Sequence, residues 1–398
     1  MLFGESRATE PYIARTANLR RRLQRLLQPA QAGSKRLNLA GLAVRIEYSR
    51  TGSVFEESLA LLRANWQWYG AAAVRRLHLR APVLLRMSTG NRYPRVYCTA
   101  RLSQRALAAL FGPFASRAAA ERFLEEMLNL FLLRRCVPDL EPDANFPGCV
   151  YSEMKMCLAP CYGGCSDERY AEEAHRVKAF LQTRGEAELA ALKRSRDQAS
   201  AALDFEEAAR LHQRLEKVQA VCHLAAPLVH ALDALDAVVL QPAAGGPESA
   251  AVAVFLVQAG GIAGPEMFSV AGMRHPNEHS GSSSLFAHPA MVEAVPLETS
   301  NTKSGRQSLE ERLEDVLARL KEQLAAGRGP AEVRAAEVSL LARWYYRPSA
   351  RRVGEIFFRN ADGQLPLAKI LRGISRVYCG VAPADKAQAA APEGVTPQ

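Results

Sequence analysis

What these 398 residues lack narrows the field first. No uninterrupted apolar run approaches the roughly 20 residues that a membrane-crossing helix needs. The opening "MLFGESRATE" carries neither the basic stretch nor the apolar stretch of a secretion signal. Those two absences lead to the expectation of a chain without a membrane partner and of a cytoplasmic location, where disulfides are rare. No G-x4-G-K-[ST] loop occurs, so any ATP hydrolysis is expected from a partner. No two cysteines stand in the C-x2-C spacing with which zinc ribbons usually begin. Lysine is nearly missing from the first third: of the 23 Lys and Arg between Met1 and Arg135, Lys35 is the single lysine.

The positive charge that is present is unevenly placed. Met1 to Arg135 sets those 23 basic residues against 8 acidic ones, a balance of +15 within a total of +10, so the rest of the chain sums to −5. The basic portion is the expected polyanion binder, because guanidinium forks suit bidentate contacts with phosphate. Arg20, Arg21 and Arg25 in "NLRRRLQRLL" and Arg75 and Arg76 in "AVRRLHLRAP" are its expected DNA contacts. A solvated arginine-rich surface is the plainer alternative. An apolar share of 48% with 23% charged residues is the balance of a folded globular protein, and the length allows several domains.

Hydrophobic patterning predicts an α+β, multidomain chain. Residues 40–50, "AGLAVRIEYSR", alternate like a strand, and Thr51-Gly52 turns the chain into a helix over "SVFEESLALLRANWQWY". The aromatics of "NWQWYG" at 65–70 are read as core rather than as a base-stacking surface. From Ser166 the spacing is helical, first in "DERYAEEAHRVKAFLQTR" and then in two helices over 186–224 that pair as an antiparallel hairpin. Asp204 with Glu207 predicts a capping box at the start of the second. Phe205, Ala208, Leu215, Val218 and Cys222 share one face of that helix, opposed by Leu189, Leu192, Ala199 and Leu203 of the helix before. Beyond His230, "ALDAVVLQPAAG", "SAAVAVFLVQAGGIAG" and "PEMFSVAGM" read as three strands. Helices are expected over 309–326 and 330–344, then a strand at "GEIFF" and a helix at "LAKILRGISRV". Residues 275–306, where His275 and His279 sit too irregularly for a helical metal pair, read as a loose insertion, and 383–398 as a disordered tail. The resulting division is a small basic α/β unit over 1–95, a cysteine segment over 96–166, a helical region over 167–226 and a mixed α/β domain over 230–382.

Cysteine is concentrated where nothing suggests disulfides. Cys136 is followed by "CVYSEMKMCLAPCYGGC", which holds Cys149, Cys157, Cys161 and Cys165. Four thiolates can hold a tetrahedral zinc or an iron–sulfur cluster. The spacing C-x12-C-x7-C-x3-C weighs against a zinc ribbon. Thiol chemistry alone leaves the cluster, zinc and unligated buried cysteines all open.

Three stretches together resemble a known family. "LFGPFASRAAAERFLEEMLNLFLLRRC", "CVYSEMKMCLAPC" and "LDFEEAARLHQRLEKV" are similar, in order and spacing, to the FGPF segment, the cysteine cluster and the UVR helical hairpin of the UvrC family, the incision subunits of bacterial nucleotide excision repair. The resemblance implies a [4Fe-4S] cluster on Cys136, Cys149, Cys157 and Cys161, with Cys165 an extra thiol and zinc the alternative. It implies a DNA-repair protein that binds DNA, docks on UvrB through Phe205, Ala208, Leu215 and Val218, and meets UvrA indirectly. Upstream, "EPYIARTANLRRRLQRLL" is similar to the second half of a GIY-YIG nuclease motif. Carried over, Tyr12 matches the second motif tyrosine, Arg15 the usual lysine and Arg22 the catalytic arginine, with Mg²⁺ required for cutting.

The chain departs from that pattern at several positions. The strand bearing the first motif tyrosine is expected to be absent or reduced to "MLF", and Ala14 stands where the motif has glycine. The metal-holding glutamate belongs near 59–61, where the sequence reads "LAL", with Glu56 and Glu57 one turn earlier. No second acidic triad and no helix-hairpin-helix is legible downstream. Two alternatives therefore stand beside the incision subunit: an adaptor that binds DNA and UvrB without cutting, and a zinc-stabilised nucleic-acid-binding dimer whose hairpin is a coiled coil.

Overall fold

The computed structural model describes residues 1–4, 10–28, 37–88, 90–136, 140–245, 249–271, 273, 302–327, 329–360 and 362–380. His275, His279, the expected tail and the expected insertion, apart from residues 302–306, lie outside them. The described chain is an α+β protein.

The N-terminal unit is built on very little sheet. β1 (Leu2–Phe3) pairs antiparallel with β2 (Arg45–Ile46), and Leu2 also forms a bridge with Tyr12. The strand expected over 40–50 thus shrinks to two residues, because its partner offers only two residues to pair with and 40–42 are taken up in a turn. α1 (Leu19–Leu27) starts where the Asn18 side chain accepts the Arg21 N–H, and α2 (Val54–Tyr69) starts where Ser53 accepts the Glu56 N–H. α3 (Ala72–Arg76) follows. Of the aromatics at 65–70, Trp68 packs edge-on against Phe3 and Tyr69 lies under the Arg76 guanidinium, so they serve as packing.

The middle unit is a four-stranded antiparallel sheet, ordered β4-β3-β5-β6, of β3 (Val83–Met87), β4 (Val96–Thr99), β5 (Leu110–Phe114) and β6 (His230–Ala231). The boundary expected at 95/96 therefore cuts between two paired strands, and the one at 230 removes the fourth. Strand pairing joins residues far apart in sequence, which local patterning does not register. α4 (Arg117–Leu130) packs on this sheet, and α5 (Val150–Glu153), α6 (Asp167–Gln182), α7 (Glu186–Ala201) and α8 (Phe205–Leu224) follow. Phe111, Phe123, Phe131, Tyr170, Phe180, Leu192, Leu215 and Val218 are buried in one core.

The C-terminal sheet, ordered β10-β7-β8-β9, is antiparallel and covered on both faces. It comprises β7 (Asp236–Pro242), β8 (Ala251–Gln258), β9 (Gly261–Ser269) and β10 (Glu355–Phe358). The expected strand "SAAVAVFLVQAGGIAG" is in fact a hairpin, because Ala259 and Gly260 both take positive φ (49° and 79°) and turn the chain in two residues. α9 (Thr302–Ala326) begins earlier than expected; α10 (Ala331–Tyr345) and α11 (Leu367–Cys379) lie within a residue or two of the expected spans. α9 and α11 cover the face bearing Val238, Leu240 and Val254. The other face, with Val239 and Phe255, is covered by α10 and by α2 from the N-terminal unit. Phe55 of α2 meets Phe255 and Trp344, each at 5.3 Å between ring centroids.

Side chains also close the open edge at β9. Arg63 of α2 donates to the carbonyls of Ile262 and Gly264, Glu337 of α10 accepts the Ile262 N–H at 3.1 Å, and Gln323 of α9 accepts the Gly264 N–H at 3.2 Å. An unpaired strand edge is a template for aggregation, and these contacts occupy it.

Candidate functional site

The cysteine segment folds against α6 and the middle sheet. Arg134, fully buried, donates through Nε to the Tyr93 carbonyl at 2.8 Å and through Nη1 to the Cys136 Sγ at 3.7 Å. Tyr170 of α6 accepts the Arg134 N–H and donates to the Pro94 carbonyl, fixing the approach to Cys136 from below. Ala159 takes a left-handed conformation (φ 55°), which costs a non-glycine residue about 1–2 kcal/mol, and its N–H points at the Cys157 Sγ at 3.3 Å. Cys161 is buried and Cys136, Cys149 and Cys157 are partly so.

Two of the four thiols, Cys157 and Cys161, are shifted by burial and by their neighbours. Burial first, and then the charges of Cys136, Cys161 and Cys149, push the Cys157 thiol up to about 11, against the Ala159 N–H that favours its thiolate. Burial and the neighbouring Cys149 and Cys136 likewise raise Cys161. Burial first, then Asp167 and to a smaller extent Cys161, raise the Cys165 thiol against Arg169. Among the described residues no three His, Cys, Asp or Glu side chains are gathered closely enough to hold a single metal ion.

A second constellation lies in the N-terminal unit. Arg22 donates to the Tyr12 hydroxyl at 2.5 Å, and Arg15 pairs with Glu57 at 2.9 Å. So three of the residues expected at a nuclease site are brought to one unit. Glu56 does not join them: it turns inward, accepts the Gly52 N–H at 2.8 Å, and burial raises its carboxyl above the usual range. Arg20, Arg21, Arg25, Arg75 and Arg76 are all exposed. Arg76 approaches Glu10 at 4.0 Å; among the described residues no carboxylate pairs with the other four.

The helical hairpin divides its apolar face. Leu215 and Val218 are buried beneath α4 and the middle sheet, so the expectation that they dock a partner does not hold: this chain's own core already occupies them. Leu203 and Phe205, at the tip, are 72% and 67% exposed, and Ala208 is half-buried. Of the expected capping box only the Asp204 half forms, because the Glu207 carboxylate is taken by Arg210.

Comparison with known proteins fits this division. The family described as "UvrC/Cho excinuclease, middle domain" matches residues 83–182, and the "UvrB/uvrC motif" matches 186–221. UvrABC system protein C of Chlamydia muridarum is 30% identical over 301 residues, covering 72% of this chain and 47% of that protein. The chain belongs to the UvrC family. UvrABC system protein C of Pasteurella multocida is 28% identical over 241 residues, 58% of this chain and 38% of that protein. The chain thus spans less than half the length of these curated relatives. No solved structure matches it.

Within the UvrC middle-domain match lie all four candidate ligands, and also residues that sequence reasoning passed over. Arg134 reads as one more basic residue in "LLRRC", and only its burial shows it to be the cation beside Cys136. Tyr170 reads as an ordinary helix residue. The pairing of Glu57 with Arg15 spans 42 positions and leaves no local signal. Among the described residues no helix is long and apolar enough to cross a membrane.

Proposed function

We propose that this chain acts in nucleotide excision repair as a UvrC-type subunit, binding DNA through Arg20, Arg21, Arg25, Arg75 and Arg76 and UvrB through the hairpin tip at Leu203 and Phe205. The observation that carries the reading is the divided hairpin. Its base is locked into the core of the middle unit, while its tip, inside the matched UvrB/uvrC motif, presents a large aromatic side chain to solvent. Exposed aromatic residues of this kind are common anchors of partner interfaces.

Cys136, Cys149, Cys157 and Cys161 would hold a [4Fe-4S] cluster. Zinc is the alternative, and it fits less well: thiolates about 2.3 Å from one zinc stand within about 4 Å of each other, whereas among the described residues these thiols do not converge on a single-ion site. The Arg134 and Ala159 N–H groups supply the hydrogen bonds to sulfur that tune such clusters. When bound, the cluster would cross-link the segment after α4, at Cys136, to residues 149–161. Protein purified without oxygen is expected to be brown, bleached by Cys157→Ser and unchanged by Cys165→Ser; colourless protein with stoichiometric zinc would select the other metal.

For incision the chain offers Arg22, oriented by Tyr12, to polarise a scissile phosphate. The carboxylates nearby do not fit a divalent ion: Glu57 is held by Arg15 and Glu56 faces Gly52. That observation favours, for this step, the second reading of a DNA- and UvrB-binding member that does not cut. The deciding experiment supplies the chain with UvrA, UvrB, ATP and Mg²⁺ on lesion-bearing duplex and reads joining and cutting separately. Joining without cutting supports the adaptor; cutting abolished by Arg22→Ala establishes the nuclease; failure to join rejects both.

A further inference from the structure

β2 presents an apolar stripe that no described part of the chain covers. Val44, Ile46 and Tyr48 alternate along this segment and are 60%, 39% and 70% exposed. Alternate residues of an extended chain share one face. Directly opposed residues of paired strands also point the same way. Leu2 is opposite Ile46 on one side and bridges Tyr12 on the other, so Tyr12, the buried Leu2 and Ile46 stand in a row on one face of the sheet. The stripe therefore shares its face with the Tyr12 hydroxyl that receives Arg22, two strand spacings away, about 10 Å. The opposite face is occupied: Arg45 lies over Phe3 at 4.4 Å, and Phe3 packs on Trp68 of α2.

The charge of the N-terminal unit selects the occupant of the stripe. In the described N-terminal unit Glu10, Glu47 and Glu57 each stand near an arginine and Glu56 is turned inward. Arg20, Arg21 and Arg25 of α1 have no carboxylate partner among the described residues. A surface that pairs unneutralised arginines with an exposed aromatic and aliphatic row suits a polyanion with flat apolar faces. Duplex DNA offers the charge and hides the faces; unpaired nucleotides offer both.

We propose that Val44, Ile46 and Tyr48 form a stacking surface for unpaired DNA bases, next to a phosphate held by Arg22 and the α1 arginines. This rests on the DNA-binding reading above and names the form of DNA that reading leaves open. Tyr48 supplies the aromatic face, Ile46 and Val44 extend it along the strand, and the row would give the chain a preference for DNA in which bases are already separated.

The test compares binding of the full chain to a duplex and to the same duplex with a central unpaired bubble. Wild type is expected to prefer the bubble. Tyr48→Ala is expected to weaken bubble binding on the order of 10-fold while changing duplex binding less than about 2-fold, as stacking losses of this kind do. Tyr48→Phe keeps the ring and should keep the preference. The slope of log K against log salt should stay the same in both variants, because no phosphate contact is lost. Equal binding of both DNAs by wild type overturns the proposal, as does a bubble preference that survives Tyr48→Ala. A concentration-dependent dimer that Ile46→Ser dissolves also overturns it, showing that a second copy covers the stripe. Binding of neither DNA rejects instead the DNA-binding reading on which the proposal rests.

Discussion

The two ends of the chain each build an antiparallel sheet, and they are held together by different means. β7, β8 and β9 run 7, 8 and 9 residues and are buried on both faces by helices. β1 and β2 run two residues each, and a two-stranded pairing of that size is marginal in water by itself. The helix α2 connects the two. One side of it places Phe55, Leu59 and Leu62 in the C-terminal core, and Trp68 near its end supports Phe3. The unit that carries Arg20, Arg21 and Arg25, which have no carboxylate partner among the described residues, is therefore the one whose own sheet is the smaller. A rigid surface for binding is obtained there by anchoring a small sheet on the back of a large one.

Removing the anchor should have the largest effect. Phe55→Ala empties a site between Phe255 and Trp344 and is expected to cost about 3–5 kcal/mol in urea unfolding, with amide exchange rising across residues 1–28 as well as in α2. A variant that loosens the C-terminal sheet and leaves the N-terminal unit protected would show that the small sheet supports itself.

The hairpin offers the same contrast on a smaller scale. Leu215→Ala, in the core, is expected to cost about 2–5 kcal/mol, whereas Phe205→Ala at the exposed tip should shift stability by no more than about 0.5 kcal/mol and act on retention of UvrB instead. If Phe205→Ala destabilised the free chain as much as Leu215→Ala, the separation of base and tip would fail.

The third effect depends on pH. Burial pushes the Glu337 carboxyl up from 4.5 to about 7, against Arg63, the Ile262 N–H and Arg334, which favour its charge. A folded value above the unfolded one means that this group's contribution is fully present below pH 4.5 and is lost as pH rises to about 7. Glu337→Gln keeps an acceptor for the Ile262 N–H and removes the titration. The stability difference between wild type and variant should change across that window by at most about 1.4 kcal/mol per pH unit; a constant difference would mean that Glu337 titrates as an ordinary carboxylate.

Much of the site was legible in the sequence because it is local. The spacing of Cys136, Cys149, Cys157 and Cys161 is written in one short stretch, and the 3.6-residue period of 186–224 announces two helices whose turn at Leu203 brings them back on each other. The arginine excess is a property of composition. Periodicity marks an apolar face without saying what meets it, and that is where expectation and structure parted. Leu215 and Phe205 belong to one stripe in the sequence; α4 covers the first and nothing described covers the second.

The sequence by itself determined most of the helices, the spacing of the thiols and the sign of the charge, since each follows from neighbours within a few residues. Tertiary structure decided the rest. It joined β3 to β4 across the expected domain boundary and lent α2 to the C-terminal core. It set Arg134 beside Cys136 and paired Glu57 with Arg15. Each of these depends on which surface is close-packed against which, and close packing selects partners by shape and burial at short separations in the chain as well as long ones, information that no local pattern of residue types contains.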